Sequence, residues 1–317
     1  MERVALGRTG LEVSVAGLGA GGHSRLGQSY GSSFQQSVDV VKAALDLGIN
    51  FLDTAAVYRT EEIVGAAVKG RRDNVVISTK VQIIKPGSPA LGQDFKSAED
   101  FYNDANDCLA KLGIDEVDIL HLHGVMPDQY AHCVNELLPA LEKLRDQGKV
   151  RFFGLTERFI YDTRHEMLQS ALRDNHWDVV MTGLNIINHS AIDRVLKPAQ
   201  EKNVGTLIMF AVRRALSSDE GRAEIIEQLA NEGLIDRSEF GEAPFDFLME
   251  EGGAASVVDG AYRYCRHTDG AHVILTGTGK INHLQENVAS ISAPPLRAAA
   301  QEKISALFGG IDSVSCN

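Results

Sequence analysis

NFLDTAAVYRTEEIVGAAVKGRRDNVVISTKV, residues 50–81, reads as strand, helix, strand. The runs NFLDTA (50–55) and VVISTKV (75–81) are short and rich in apolar residues. Between them TEEIVGAAVKG (60–70) opens on acids and stops at Gly70. Acids at a helix start and a glycine just past its end are the boundary signals of a helix. Two strands joined through a helix lie parallel, because only a crossover of this length can return the chain to the same edge.

The same unit repeats in both directions along the chain. Strands are expected at VSVAGLG (13–19), VDILHLHG (117–124), VRFFGLT (150–156), VVMTGLN (179–185), TLIMFAV (206–212) and HVILTG (272–277), which with the first two makes eight. They carry the near-continuous Val, Ile, Leu and Phe of buried parallel strands. SFQQSVDVVKAALDLG (33–48) has Val38, Val41 and Leu45 at helical spacing, and 97–113 and 130–148 are longer amphipathic stretches closed by glycine. Eight such units fit a (β/α)8 TIM barrel. An open doubly wound sheet has the same alternation, and periodicity does not count closure. Residues 1–10, with Gly7 and Gly10, are expected to form a hairpin-like turn capping the barrel's bottom. The stretch 216–252 is too long for one connection and is expected to hold a short helix and an exposed loop at the strand-end face. With no Pro- or Ser-rich linker, 1–317 reads as a single domain.

Bulk properties narrow the function classes. A net charge of −12 argues against non-specific nucleic-acid binding, which draws on basic patches. No apolar run approaches the roughly 20 residues of a membrane span. The opening MERVALGRTG lacks the apolar core of a secretory signal. Cys108, Cys133, Cys265 and Cys316 form no CxxC pair and suggest no disulfide framework. A cytoplasmic protein with a small-molecule partner is the expectation.

In a barrel, reacting groups sit at the C-terminal strand ends. The second strand ends at Asp53 with Tyr58 just beyond, the third at Lys80, and the fourth at His121 and His123. A phenol of ordinary pKa near 10 exchanges protons poorly at neutral pH. A nearby ammonium favours the phenolate, an aspartate holds that ammonium, and a histidine orients a carbonyl oxygen. With a hydride donor in front of the carbonyl, such a site reduces ketones or aldehydes. Each residue alone has a plainer explanation as a cap, a packing ring, a surface lysine or a core histidine. Their joint placement on three successive strands is what points to chemistry.

GINFLDTAAVYRTEEIVG (48–65) resembles the signature of the aldo-keto reductase family, with Asp-Thr-Ala and a Tyr five residues after the Asp. VVISTK (75–80), CLAKLGIDEVDILHLHG (108–124), LGRTGLEVSVAGLG (6–19), GKVRFFGLT (148–156), GAYRYCRH (260–267) and HVILTGTGKINHLQEN (272–287) resemble further family segments, so the likeness spans nearly the whole chain. The resemblance implies a nicotinamide cofactor extended across the barrel mouth. It implies Tyr58 as proton donor, Lys80 as the cation beside it, Asp53 as the partner of Lys80, and His123, not His121, as the residue that orients substrate. His121, two residues earlier on the same face, is left a structural place beneath the site.

For the cofactor, Gly277 and Thr278 lie where a helix starts after strand eight, and backbone N–H groups there bind phosphate. Lys280 can pair with a ribose 2′-phosphate, with His283 adding a hydrogen bond, which favours NADP(H) over NAD(H). Glu286 and Asn287 match family positions at the adenine. Gly19, Ala20 and Gly21 permit close backbone approach beside Asp53. Other positions depart from the family: Thr156 and Glu157 replace the Ser-Asn pair at the carboxamide, Met181 replaces a Gln, Phe210 replaces the stacking Tyr, and Gly21-Gly22 stand in place of a pocket Trp. Substrate-pocket residues are expected from 22–31, 82–94, 124–130 and 213–250, and Arg213 and Arg214 hint at a polar or anionic substrate group, although surface arginines are the commoner explanation.

Three rival readings exist. Gly17, Gly19 and Gly22 match the G-x-G-x-x-G of a dinucleotide-binding fold, but no helix opens inside the motif and no acid follows at the required distance. A metal-dependent barrel hydrolase would use His121-x-His123, and it needs further ligands from other strand ends. A non-catalytic, redox-sensing subunit would keep the fold and cofactor without turnover.

Overall fold

The computed structural model describes residues 1–317. A hairpin of β1 (Arg3–Ala5) and β2 (Glu12–Ser14) precedes β3 (Ala16–Gly19), β4 (Phe51–Asp53), β5 (Val76–Gln82), β6 (Val117–Val125), β7 (Val150–Glu157), β8 (Val179–Gly183), β9 (Gly205–Met209) and β10 (Val273–Thr276). From β3 each strand pairs in parallel with the next, and β10 pairs with both β9 and β3, so the sheet closes on itself. The molecule is a (β/α)8 barrel, not the open sheet.

Local signals set the helix ends. Ser33 caps the helix Phe34–Asp46 in a reciprocal box with Gln36, and Ser97 does the same with Asp100 for Ala98–Leu112. The 130–148 stretch is continuous but uneven: a π turn over Cys133–Leu137 interrupts it just before Leu138–Asp146. Pro139, near the start of that last segment, has no N–H to continue the ladder, and the wider turn absorbs the gap.

Inside the barrel, Phe51, Val76, Ile119, Val179, Leu207 and Val273 pack together, and Leu6, Leu11 and Val13 of the hairpin close that cluster from below. The hairpin seats tightly because Gly7 has φ +50° and a Cβ on it would lie 2.3 Å from the Gly205 nitrogen. A second layer of core lies between the barrel and its helices.

The 216–252 stretch has the expected exposed loop, over 232–239, but its helix is longer than expected and its end is packed. It holds a 13-residue helix, Asp219–Asn231, and then Phe240, Phe245 and Phe247 pack with Phe308 of the closing helix Ala298–Phe308. It is a packed subdomain wall with its own apolar cluster. No helix of the chain is long and apolar enough to cross a membrane.

Candidate active site

Period-two alternation stacks the site above the barrel core. Phe51, Val76 and Ile119 face inward, so Asp53, Ser78 and His121 face inward one step higher, and Lys80 and His123 one step above those. Lys80 Nζ donates to Asp53 Oδ2 at 2.6 Å and to the Thr54 carbonyl at 2.8 Å, and Ser78 Oγ donates to Asp53 Oδ1 at 2.9 Å. The Lys80 side chain is fully buried and that of Asp53 is 5% exposed. Tyr58 comes from the tight turn Ala56–Tyr58 just past β4. Its ring centroid lies 5.0 Å from Lys80 Nζ, and its hydroxyl lies 3.4 Å from His123 Nε2. Arg25 holds the turn by donating twice to the Tyr58 carbonyl, at 2.9 and 2.6 Å. Gly21 leaves the ring its room, since a Cβ there would lie 2.4 Å from Tyr58 Cε2. The four residues from three successive strand ends therefore do converge.

The electrostatics refine the expected chemistry. Burial pushes the Tyr58 phenol above its ordinary value, and the Lys80 ammonium opposes this without reversing it. Lys80 lowers the phenol's pKa as expected, and burial is the larger effect, so the phenol is protonated. Burial works against the Lys80 charge, but Asp53 and Tyr58 outweigh it and raise the ammonium's pKa. Burial raises the Asp53 carboxyl while Lys80 and Ser78 pull it down; the 2.6 Å contact joins ammonium to carboxylate. Burial, then the charges of Lys80 and Arg158, hold His123 well below the usual imidazole range, so its ring is neutral.

His121 sits under the site with both ring nitrogens unpartnered, against Gly154 of β7. A Cβ on Gly154 would lie 2.1 Å from His121 Nδ1, so the glycine makes the space for the imidazole. No three His, Cys, Asp or Glu side chains gather to hold a metal ion, so the His-x-His pair lacks the further ligands a metal hydrolase requires. The G-x-G-x-x-G match also fails in space. Gly17 lies in a barrel strand against Val273, Leu275 and Phe51, and no helix opens at Gly22.

A cleft of about 2000 Å³ runs from Tyr58 and His123 across the barrel mouth to the start of the helix Ile281–Ser292. Gly19, Gly21, Asp53, Glu157, Met181, Phe210, Gly277, Thr278, Lys280, His283, Glu286 and Asn287 line it. Ala20 and Thr156 do not. Ala20 is buried with its N–H on the Asp53 carbonyl, and Thr156 Oγ1 accepts from the Gly124 N–H at 2.7 Å. The Glu157 carboxylate is buried on the helix side of the sheet, accepting from His165 Nδ1, Thr182 Oγ1 and the Gly183 N–H at 2.9, 3.0 and 2.8 Å. It replaces the expected carboxamide contact with a buried internal network. Asn287 donates to Thr276 Oγ1 at 2.8 Å, which occupies its amide nitrogen. Phe210 adopts φ +67° and is steadied edge-on by Phe159.

Of the pocket segments expected from sequence, 22–31 reaches the cleft through Gly22, His23, Ser24, Gly27 and Tyr30, and the other three reach it only at their edges. Of 82–94 only Gln82 reaches the cleft, of 124–130 only Gly124, and of 213–250 only Arg213, Arg214 and Ser217. Four residues went unread: Ser78, Arg25, Thr182 and Arg158. Ser78 was legible, since it precedes Lys80 by two on the same strand face. The others come from turns or neighbouring strands that no local pattern connects to the site.

A family model described as "Aldo/keto reductase family" matches residues 17–307. The chain belongs to the aldo/keto reductase family. It is an oxidoreductase. It is similar to L-galactose dehydrogenase of Arabidopsis thaliana, 29% identical over 96% of this chain and 92% of that protein. It is also similar to pyridoxal 4-dehydrogenase of Microbacterium luteolum, 27% identical over 78% of this chain and 75% of that protein. A solved aldo-keto reductase from Bacillus halodurans shares the fold, with a TM-score of 0.72 at 24% identity, covering 97% of this chain and 96% of that one.

Proposed function

We propose that this family member interconverts a carbonyl compound and its alcohol with NADP(H), by direct hydride transfer with Tyr58 moving the proton. The observation that carries the reading is the Tyr58 hydroxyl 3.4 Å from a neutral His123, above the buried Lys80–Asp53 pair, at one end of a long cleft. The cleft suits an extended dinucleotide. Its walls are backbone at Gly19, Gly21, Gly277 and Gly279, and Phe210 presents a ring for stacking. Lys280, exposed at the N-cap of Ile281–Ser292, supplies a cation beside free helix N–H groups for a ribose 2′-phosphate. A bound nicotinamide supplies or accepts the hydride.

The chain's own residues handle the oxygen and its proton. A substrate carbonyl oxygen seated between Tyr58 and His123 receives the phenolic proton as negative charge develops on it, and the His123 imidazole orients that oxygen. Lys80 stabilises the phenolate left behind, and Asp53 and Ser78 hold Lys80 in place. The phenol is in its protonated form across the neutral range, and Lys80, which pulls its pKa down against the effect of burial, eases release of the proton. The names of the relatives direct the first screen to sugar and aromatic aldehydes or alcohols. One barrel domain over 1–317 and a reducing, cytoplasmic setting fit the closed barrel and the four free, buried cysteines.

Fluorescence titration with NADPH and NADH tests the cofactor. NADPH is expected to bind more tightly, and Lys280→Met to lose about 10- to 100-fold in NADPH affinity, the worth of a charge-assisted contact, while NADH is little changed. Equal affinities for both cofactors in the parent protein would rule out the Lys280 assignment.

A further inference from the structure

Arg158 is a cation at the reacting end of the cleft without a counterion. It follows Glu157 at the end of β7 and lines the same cleft as Tyr58 and His123. Its side chain lies across Gly124, the residue after His123: Nε donates to the Gly124 carbonyl at 3.2 Å, and a Cβ on Gly124 would lie 3.0 Å from Nη2. Gly124 also has φ +65°, a conformation strained for any residue with a side chain. Neither Nη group of Arg158 has a protein partner, and the charges it feels are those of Tyr58 and Tyr161, not of a carboxylate. Glu157 does not neutralise it, because that carboxylate is committed to His165, Thr182 and Gly183 on the other face of the strand. Asp53, the other acid near the site, is committed to Lys80.

The second arginine at the mouth differs. Arg213 stacks 4.2 Å over the Phe210 ring and donates to Asn317 Oδ1 through both Nε and Nη2, so its fork is engaged. Exposed Val57 and Ile160 line the rim as apolar surface. A guanidinium half-sunk in a cleft, joined through Nε to one carbonyl and through Nη to nothing, loses hydration without gaining a counter-charge in the free protein. The arrangement is explained if an anion completes it, because a planar fork matches a carboxylate or a phosphate in two parallel hydrogen bonds.

We propose that Arg158 is the specificity-determining residue, and that the carbonyl compound turned over at Tyr58 carries an anionic group, carboxylate or phosphate, close to its carbonyl, which the free Nη edge of Arg158 grips. This rests on the carbonyl-reductase reading above and names the substrate class within it.

The test compares matched carbonyl pairs with reduced cofactor: pyruvate against methyl pyruvate, and glyceraldehyde 3-phosphate against glyceraldehyde. Calorimetric titration of the protein with pyruvate alone gives a readout without turnover. The parent protein is expected to favour the anionic member of at least one pair, and which pair tells carboxylate from phosphate. In Arg158→Leu the anionic-to-neutral ratio of kcat/KM is expected to fall about 10- to 100-fold, and Arg158→Lys to keep part of it. A parent protein indifferent to charge, or an Arg158→Leu variant that slows both members of a pair by the same factor, would overturn the proposal. Absence of any turnover would instead strike the reductase reading. Should turnover be absent, binding of pyruvate or of glyceraldehyde 3-phosphate that is lost in Arg158→Leu would still show in the calorimeter, and a parent protein that binds neither would refute the anion site.

Discussion

Replacing Lys80 with Met keeps most of the side chain's length and apolar stem and removes its charge. Lys80 is fully buried, and its ammonium is 2.6 Å from Asp53 Oδ2. The substitution therefore strands a carboxylate that is itself 5% exposed and retains only the Ser78 hydroxyl at 2.9 Å. Breaking one side of a buried ion pair costs about 3–5 kcal/mol, most of it the penalty of the unpaired charge. Removing both charges in Asp53→Asn/Lys80→Met takes away that penalty, so the double variant is expected to recover to within about 1–2 kcal/mol of the parent. The pH dependence follows from the signs. Without Lys80, burial dominates and the native Asp53 carboxyl moves further above its ordinary 3.8. The native state then holds a proton that the unfolded chain releases, and stability falls as pH rises above 3.8. The deficit of the single variant is thus larger at pH 8 than at pH 5. Urea unfolding followed by the fluorescence of Trp177, the one tryptophan and 2% exposed, reads all three proteins. A single variant as stable as the parent at both pH values, or a double variant worse than the single, would refute the buried-pair reasoning.

Burial depresses His121 and His123 well below 6.5, so the unfolded chain takes up protons first; stability is complete above that value and declines as pH falls below it, and His121→Leu should flatten the decline in denaturant melts. Gly154→Ala drives a methyl into His121 and is expected to cost about 1–3 kcal/mol and slow turnover, with a His121→Ala partner restoring stability. Thr182→Val removes one donor from the buried Glu157 carboxylate and should cost about 1–3 kcal/mol in the same melts. Exhaustive dialysis against a chelator should leave carbonyl turnover unchanged, because no three-ligand cluster exists.

Much of the fold was legible because barrel strands and their helices advertise themselves locally. Capping residues such as Ser33 and Ser97, C-terminal glycines such as Gly113, and apolar runs each act within a few residues. The gathering of Asp53, Tyr58, Lys80 and His123 was legible for the same reason: each lies within two residues of a strand's end or follows one within five, and the barrel brings strand ends together. What the pattern hid is long-range. Closure depends on β10 meeting β3 across most of the chain, and nothing local encodes that contact. The burial of Glu157 depends on His165 and Thr182, and the isolation of Arg158 depends on where Gly124 places its backbone. The direction of the Tyr58 shift was hidden too, since charge proximity is visible from spacing while the depth of burial that outweighs it is not. The packed end of the 216–252 stretch was misread because its aromatic residues find partners in the closing helix, far along the chain.

The most direct measurement is isotope transfer. The protein is incubated with NADPH carrying deuterium at the reactive nicotinamide carbon and a panel of anionic and neutral aldehydes and ketones, and the alcohols are analysed by mass spectrometry. Deuterium is expected on the carbinol carbon, at a rate that drops about 10²- to 10⁴-fold in Tyr58→Phe while cofactor binding persists. A protein that binds NADPH yet transfers no deuterium to any carbonyl, or a Tyr58→Phe variant that transfers it at the parent rate, would contradict the assignment.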